Sequence, residues 1–264
     1  MKERKKRTPQ QKIISGFITT VCLAVFIYAS YGLIDAYFQY KKNDQVVKDV
    51  QEIFYQDSEK EDLTASIQPS TKGTSTVRSG FEELLKVNED TVGWITIEDT
   101  KIDYPIMQTD NNTDYLRTSF YGDDLLAGSL FLDYRNDLTS GENRNLIVYG
   151  HRMKDGSMFE HLEKYLDEDF FHSHSSFTFD TLYESYEAEV FAVYNTMIDF
   201  NYIQTDFQSD GEYGRLIDEM RERSLYEADI EVGEDDMILT LSTCEYTLDP
   251  DDSRLVLQAK LSKK

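Results

Sequence analysis

A thiol, an imidazole and a guanidinium each stand at the end of a strand-like run, and together they could carry out acyl transfer. Cys244 closes Met237-Ile-Leu-Thr-Leu-Ser-Thr-Cys244, and His151 closes Asn145-Leu-Ile-Val-Tyr-Gly-His151. Arg254 opens Arg254-Leu-Val-Leu-Gln-Ala-Lys-Leu261, ten positions after the thiol. A cysteine can form a covalent acyl intermediate that splits one amide exchange into two easier steps. A histidine can move the protons, and an arginine is a permanent donor to a developing oxyanion. A free thiol near pKa ~8.5 is only a few per cent thiolate at neutral pH, so such a site must shift that value or work from a minority state.

Each residue also has a plainer role to weigh. Free cysteine often fills a core hole. Alternation along its run groups Ile238, Thr240, Ser242 and Cys244 on one face and Leu239, Leu241 and Thr243 on the other. The first face is the more polar, which predicts an accessible thiol. Gly150 predicts a sharp turn where the histidine strand ends. Arg254 has acids nearby (Asp249, Asp251 and Asp252) for simple ion pairing. The other histidines carry less. His161 lies in a charged helix-like stretch. His172 and His174 have a spacing that fits two ligands on one strand face, but no cysteine or carboxylate set at zinc spacing accompanies them. No stretch has the spaced acids and central glycine of an EF-hand loop, and Asp249-Pro-Asp-Asp252 reads as a turn. No metal site and no cofactor are expected.

The N-terminus points to the compartment in which these groups work. Residues 1–12 carry six basic side chains against one acid, and residues 13–34 carry no charge at all. As a helix those residues span ~33 Å, enough for a bilayer core. The basic flank favours the cytoplasmic side. A cleaved signal peptide has a shorter apolar core and a small-x-small site, whereas here Tyr28, Tyr31, Tyr37, Phe38 and Tyr40 flank the exit as interfacial aromatics do. Ile18-Thr-Thr-Val21 lacks the small residue that a lipoprotein site needs directly before Cys22. The expectation is a single-pass membrane protein, N-terminus cytoplasmic, with its remaining domain extracytoplasmic. The formal net charge is −23 although the first residues are basic, which argues against nucleic acid or anionic lipid headgroups as partners of that domain. One thiol outside the membrane is no disulfide framework. A lone extracytoplasmic thiol is prone to oxidation and therefore needs a purpose.

The elements that must position the three groups are mostly strands. Residues 44–55 place apolar side chains at 46, 47, 50, 53 and 54, one helical face. Residues 56–78 read as a polar linker. Ser79-Gly-Phe-Glu82 reads as a capping box opening a helix to about Val87. Strands are expected at 93–97, 104–108, 129–132, 145–149, 176–181, 188–194, 237–243 and 254–262, with helices at 157–166 and 212–223. Many short strands with Gly, Asn and Asp between them suggest a β-barrel or sandwich.

These residues lead to a family. Thr240-Leu-Ser-Thr-Cys244, with arginine ten residues on, resembles the sortase signature, and Tyr149-Gly-His151 resembles the sortase histidine motif. Val92-Gly-Trp-Ile-Thr-Ile97, Ile102-Asp-Tyr-Pro-Ile106 and Gly128-Ser-Leu-Phe-Leu-Asp-Tyr-Arg-Asn136 resemble sortase segments too. The resemblance covers roughly residues 81–262. The N-terminal helices, and the helix before the cysteine strand, are similar to class B.

The resemblance implies a mostly β fold with peripheral helices, a closed eight-stranded barrel with an N-terminal helical extension, preceded by one transmembrane helix. It divides the chain into a basic cytoplasmic tail at 1–12, an anchor at 13–37, an extracytoplasmic helix and linker at 38–80 and a catalytic barrel at 81–264. It implies a Gram-positive cell-surface cysteine transpeptidase whose protein substrates carry a C-terminal sorting signal. Cys244 would attack the carbonyl after the signal's threonine and form a thioester, and an amine of peptidoglycan or its lipid-linked precursor would resolve it. His151 would protonate the leaving amine and deprotonate the incoming one, while Arg254 steadies substrate and oxyanion. Ser242, Thr243 and Glu245, beside the thiol, would contact substrate. Some class B members have an acid two residues after the cysteine, proposed to orient the histidine. Here that position is Tyr246, so Asp133 is the candidate orienter.

Other classes remain open at this stage. A pilus-polymerising sortase would use a lysine as acceptor. A papain-like peptidase would release product to water, but it normally places its cysteine on a helix. A non-catalytic receptor or adhesin would bury Cys244.

Overall fold

In the computed structural model, residues 8–65, 77–138, 143–197, 200–244 and 253–264 are described. Eight strands close into a barrel in the order β1-β2-β3-β4-β7-β8-β6-β5. They are β1 (Thr91–Thr96), β2 (Asp103–Met107), β3 (Leu130–Leu132), β4 (Asn145–His151), β5 (Ser176–Thr181), β6 (Ser185–Thr196), β7 (Ile238–Cys244) and β8 (Arg254–Lys263). The barrel and all eight expected strands are present, with ends shifted by at most three residues. Closure leaves no edge strand to pair with another chain.

Two pairings, β2 with β3 and β4 with β7, are parallel; the rest are antiparallel. A parallel pair needs a crossover. Between β4 and β7 that crossover contains β5, β6 and the helices among them. It includes a 3-10 helix (Phe159–Leu166) where an ordinary helix over 157–166 was expected.

The chain divides into two compact units, before and after Lys42/Asn43. Helix α1 (Pro9–Ala65) contributes to both. In the first unit its apolar side chains, Phe17, Val25, Phe26, Tyr31 and Leu33 among them, are exposed. Among the described residues it is the one helix long and apolar enough to cross a membrane.

In the second unit, Val46, Val50, Ile53 and Phe54 of α1 pack with Phe81, Leu84 and Trp94. Phe54 stacks flat on Trp94 at 4.1 Å between ring centroids. The amphipathic face read at 46–54 is therefore a docking face, although the helix continues to Ala65 through residues expected to be linker. The rest of that linker, 66–76, lies outside the described residues. Helix α2 (Phe81–Val87) ends as expected but opens differently: Gly80, at φ 85°, is its N-cap, with no side-chain cap bond. The N-cap position is thus Gly80, one residue later than the Ser79 of the expected capping box.

A short helix not expected from the sequence, α3 (Glu168–Ser173), is capped by Asp167, which accepts from Phe170 N. It contains His172, with His174 just beyond it, so the pair does not share a strand face. Helix α4 (Asp210–Arg223) is capped by Ser209 and carries acids in its first turn and arginines in its last, matching the helix dipole. Its apolar face (Tyr213, Leu216, Ile217 and Met220) packs on Phe191, Ile238 and Val256 of the barrel.

Candidate active site

Strands β4, β7 and β8 lie side by side in the barrel. The parallel register of β4 and β7 runs unbroken from Asn145↔Ile238 to His151↔Cys244. The antiparallel register of β7 and β8 runs to Ser242↔Val256, and Cys244 and Arg254 each lie two residues beyond that pair on their own strand. Adjacent strands are about 5 Å apart. Three strand ends far apart in sequence thus form a row at one end of the barrel. Cys244 ends a strand, unlike the helix-borne cysteine of papain-like peptidases.

Buried polar contacts on both sides fix that row. Thr240 Oγ1 donates to Asn145 Oδ1 at 2.7 Å, and Gln258 Nε2 donates to Thr240 Oγ1 at 3.2 Å, tying β4, β7 and β8 through their side chains. Asn145 Nδ2 donates to the carbonyls of Tyr202 and Gln204, both at 3.0 Å. Those carbonyls belong to the connection between β6 and β7. Ser242 is buried with its hydroxyl 2.9 Å from Tyr202 Oη. Thr243 is buried as well. Its hydroxyl accepts from Leu255 N at 3.1 Å, stapling β7 to β8 beyond the last ladder pair.

Thr240 and Ser242, on the more polar face of β7, are buried among partners from neighbouring strands and the β6–β7 connection. The hydroxyls of Ser242 and Thr243, both expected beside the substrate, bond within the protein. Glu245 and the 249–252 turn lie outside the described residues.

His151 is held from the opposite side. Its Nε2 is 2.7 Å from the carbonyl oxygen of Leu116. A carbonyl can only accept, so Nε2 carries a proton. Leu116 ends a 3-10 turn (Asp114–Leu116) in the loop between β2 and β3. That turn rests on Ser129, which donates from its N to the Tyr115 carbonyl (3.0 Å) and from its hydroxyl to the Thr118 carbonyl (2.9 Å). Gly128 makes the fit possible: at φ 58°, a Cβ there would meet the Tyr115 oxygen at 2.4 Å and the Leu116 oxygen at 2.6 Å.

Gly150 serves in another way than expected. The strand continues through it, and a Cβ would strike Leu130 Cδ2 at 2.4 Å and Phe159 Cδ2 at 2.7 Å. The glycine allows close packing, not a turn.

Arg254 is half-buried, and Nη1 donates to the Ser253 carbonyl at 3.1 Å. Among the described residues this is the one hydrogen bond its guanidinium makes, and the group has five N–H donors in all.

Asp133 does not bond His151. Its carboxylate is fully buried and takes hydrogen bonds from Arg135, Tyr149 and Asn112. Burial alone would push this carboxyl up, but the Arg135 side chain and N–H and the Tyr149 hydroxyl hold it below its ordinary value. The same carboxylate pushes the Arg135 guanidinium up. Burial, then the charge of Asp133, keeps Tyr149 a neutral phenol.

The remaining histidines are engaged elsewhere. His161 Nδ1 accepts from Lys101 N at 2.9 Å, and His174 Nε2 is 3.0 Å from Asp99 Oδ2. Among the described residues no three His, Cys, Asp or Glu are grouped to hold a metal.

Leu116, Gly128, Asn112 and Arg135 are the contributors that sequence reading missed. Leu116 acts through its backbone, which leaves no signature in the residue type. Gly128 and Arg135 lie within the 128–136 segment already singled out, and a glycine directly before a short buried strand was the available signal.

Comparison with known proteins points the same way. A family model described as a sortase domain matches residues 95–262, which include His151, Cys244 and Arg254. The chain is similar to sortase B of Listeria monocytogenes, 37% identical over 247 residues, covering 94% of this chain and 96% of that protein. It resembles the crystal structure of a Bacillus anthracis protein similar to sortase B, with TM-score 0.75, 46% identity and coverage of 85% and 98%. It also resembles the Staphylococcus aureus sortase B–substrate complex, with TM-score 0.75, 36% identity and coverage of 86% and 99%.

Proposed function

The chain belongs to the sortase family, cysteine transpeptidases of cell-wall anchoring, and from that premise we propose how its own residues perform the transfer. The observation that supports the reading most is the register pair His151↔Cys244 on β4 and β7, with Arg254 opening the neighbouring strand β8. Cys244 gives its thiol proton to His151 Nδ1 as its sulfur attacks the scissile carbonyl of a C-terminal sorting signal, so that the C–S bond forms and the ring becomes an imidazolium. Arg254 donates to the oxygen as its negative charge develops. Collapse breaks the C–N bond, and the leaving amine takes a proton from the His151 imidazolium. A thioester remains on Cys244.

An amine of peptidoglycan, or of its lipid-linked precursor, then attacks the thioester. His151 takes the amine's proton, the thiolate leaves, and a new amide joins the secreted protein to the wall. The Leu116 carbonyl supports this proton traffic. It holds Nε2–H, so both transfers run through Nδ1, and it stabilises the imidazolium while that exists.

The apolar part of α1 is the membrane anchor in this reading. Its basic flank lies in the cytoplasm and the barrel faces the wall, where both substrates are found. Protease shaving of intact cells tests that topology: the barrel should be degraded and residues 1–12 protected. Barrel resistance in intact cells would reverse it.

The reaction is tested by incubating the full chain in detergent micelles with a sorting-peptide library, with and without glycine peptides and diaminopimelate-bearing peptides. An acyl adduct on Cys244 and an amine-dependent product mass are expected. A product that is hydrolysed at the same rate whatever amine is present would instead make the protein a peptidase.

A further inference from the structure

Much of the site's framework converges on the carboxylate of Asp133. Oδ1 accepts from Arg135 N at 2.9 Å and Arg135 Nε at 2.8 Å. Oδ2 accepts from Arg135 Nη2 at 2.7 Å, Asn112 Nδ2 at 2.9 Å and Tyr149 Oη at 2.9 Å. Asn112 in turn accepts from Tyr134 N at 3.0 Å, which pins the β2–β3 loop four residues before Leu116. Tyr149 lies two residues before His151 on β4. The carboxylate therefore grips both the strand that carries the imidazole and the loop whose carbonyl holds it. Arg135 extends the grip, because Nη2 also donates to the Ile203 carbonyl at 3.0 Å, in the β6–β7 connection.

We propose that Asp133 and Arg135 are positioning residues for transpeptidation, acting on His151 through Asn112 and Leu116 and on the β6–β7 connection through Ile203. Neither touches reacting atoms. Asp133 sets where the Leu116 carbonyl stands relative to the ring, and so which nitrogen bears the proton. Arg135 sets where the β6–β7 connection stands relative to the same ring. A forked, doubly bonded guanidinium suits this task because it fixes direction as well as distance. The proposal rests on the reading of His151 as the proton carrier.

The test uses the full chain labelled with 15N-histidine, the His151 signals being assigned by comparison with His151→Gln. Wild type should show the Nε2–H tautomer. Asp133→Asn should mix the tautomers and lower kcat about tenfold or more, with KM changing less than about twofold. Arg135→Lys should keep the tautomer and raise KM several-fold. Kinetics use the best peptide and amine from the library above, at a temperature where each variant is folded by near-ultraviolet circular dichroism.

If Asp133→Asn does not fold, Asn112→Ala carries the test, since it cuts only the link to the Leu116 loop. It should show the same loss of the single tautomer. A folded Asp133→Asn or Asn112→Ala variant with the wild-type ring signature, or with wild-type kcat, overturns the proposal, and so does an Arg135→Lys enzyme with unchanged KM. His151→Ala separates the two levels. Should it retain activity, the proton-carrier reading fails; should it be inactive while Asp133→Asn behaves as wild type, only the positioning role fails.

Discussion

His151 and Cys244 are register partners on adjacent parallel strands, the last pair of a seven-residue ladder. A slip of one residue would move either group to the other face of its strand. Thr240, Asn145 and Gln258, bonded to one another inside the barrel, resist that slip. The chemistry rests on this register more than on any single contact.

Cys244→Ala should abolish both the acyl adduct and product, leaving no residual transfer. His151→Ala should lower turnover by about 10²–10⁴-fold, the usual worth of a positioned acid/base. Mass spectrometry of the trapped adduct checks both. An adduct that persists in Cys244→Ala would place the nucleophile elsewhere.

Arg254→Ala should lower the acylation rate by about 10²–10³-fold or less, as loss of an oxyanion donor does. Arg254→Lys should recover only part of it, because an ammonium lacks the planar fork. Single-turnover acylation is the measurement, and an unimpaired Arg254→Ala enzyme would remove the guanidinium from the mechanism.

Gly128→Ala should injure activity from a distance. The added methyl meets the Tyr115 and Leu116 oxygens at positive φ, so the turn must shift. Strain of about 1–3 kcal/mol is expected, together with a fall in kcat, read by thermal melts and steady-state kinetics. Equal kcat in a destabilised variant would show that the Leu116 carbonyl need not stand where it does.

Thr243→Val should act on the framework. The Leu255 N–H loses its acceptor in a buried place, at a cost of about 1–3 kcal/mol. The start of β8, and Arg254 with it, should loosen. Urea midpoints and the acylation rate should fall together; a loss of peptide affinity alone would instead make Thr243 a substrate contact.

Stability should decline at both ends of the pH scale. The Asp133 carboxyl is depressed on folding, so its contribution is complete above the unfolded value near ~4 and is lost as pH falls through the lower folded value. Wild type should therefore lose melting temperature more steeply than Asp133→Asn below about pH 4. Burial, then the bond to Asp103, pushes the Tyr55 phenol up to about 12. Its contribution is intact below ~10 and is lost as pH climbs to that value. Tyr55→Phe should flatten the alkaline limb.

The strands were legible, and His151, Cys244 and Arg254 could be singled out as candidates, because period-two patterning and motif spacing are local properties of the chain. What was not legible is instructive. The segment 56–65 has no apolar stripe, so its helix carries no periodic signal. Polar residues on β7 suggested a wet face, but Thr240 and Ser242 find buried partners on elements distant in sequence. The hold on His151 comes from a backbone carbonyl, which any residue type could supply.

The parallel pairing of β4 with β7 has one more consequence. Its two halves are joined only after β5, β6 and α4 have been made and folded between them. His151 and Cys244 meet only where β4 and β7 pair, so a chain in which that pairing fails holds both side chains without bringing them together.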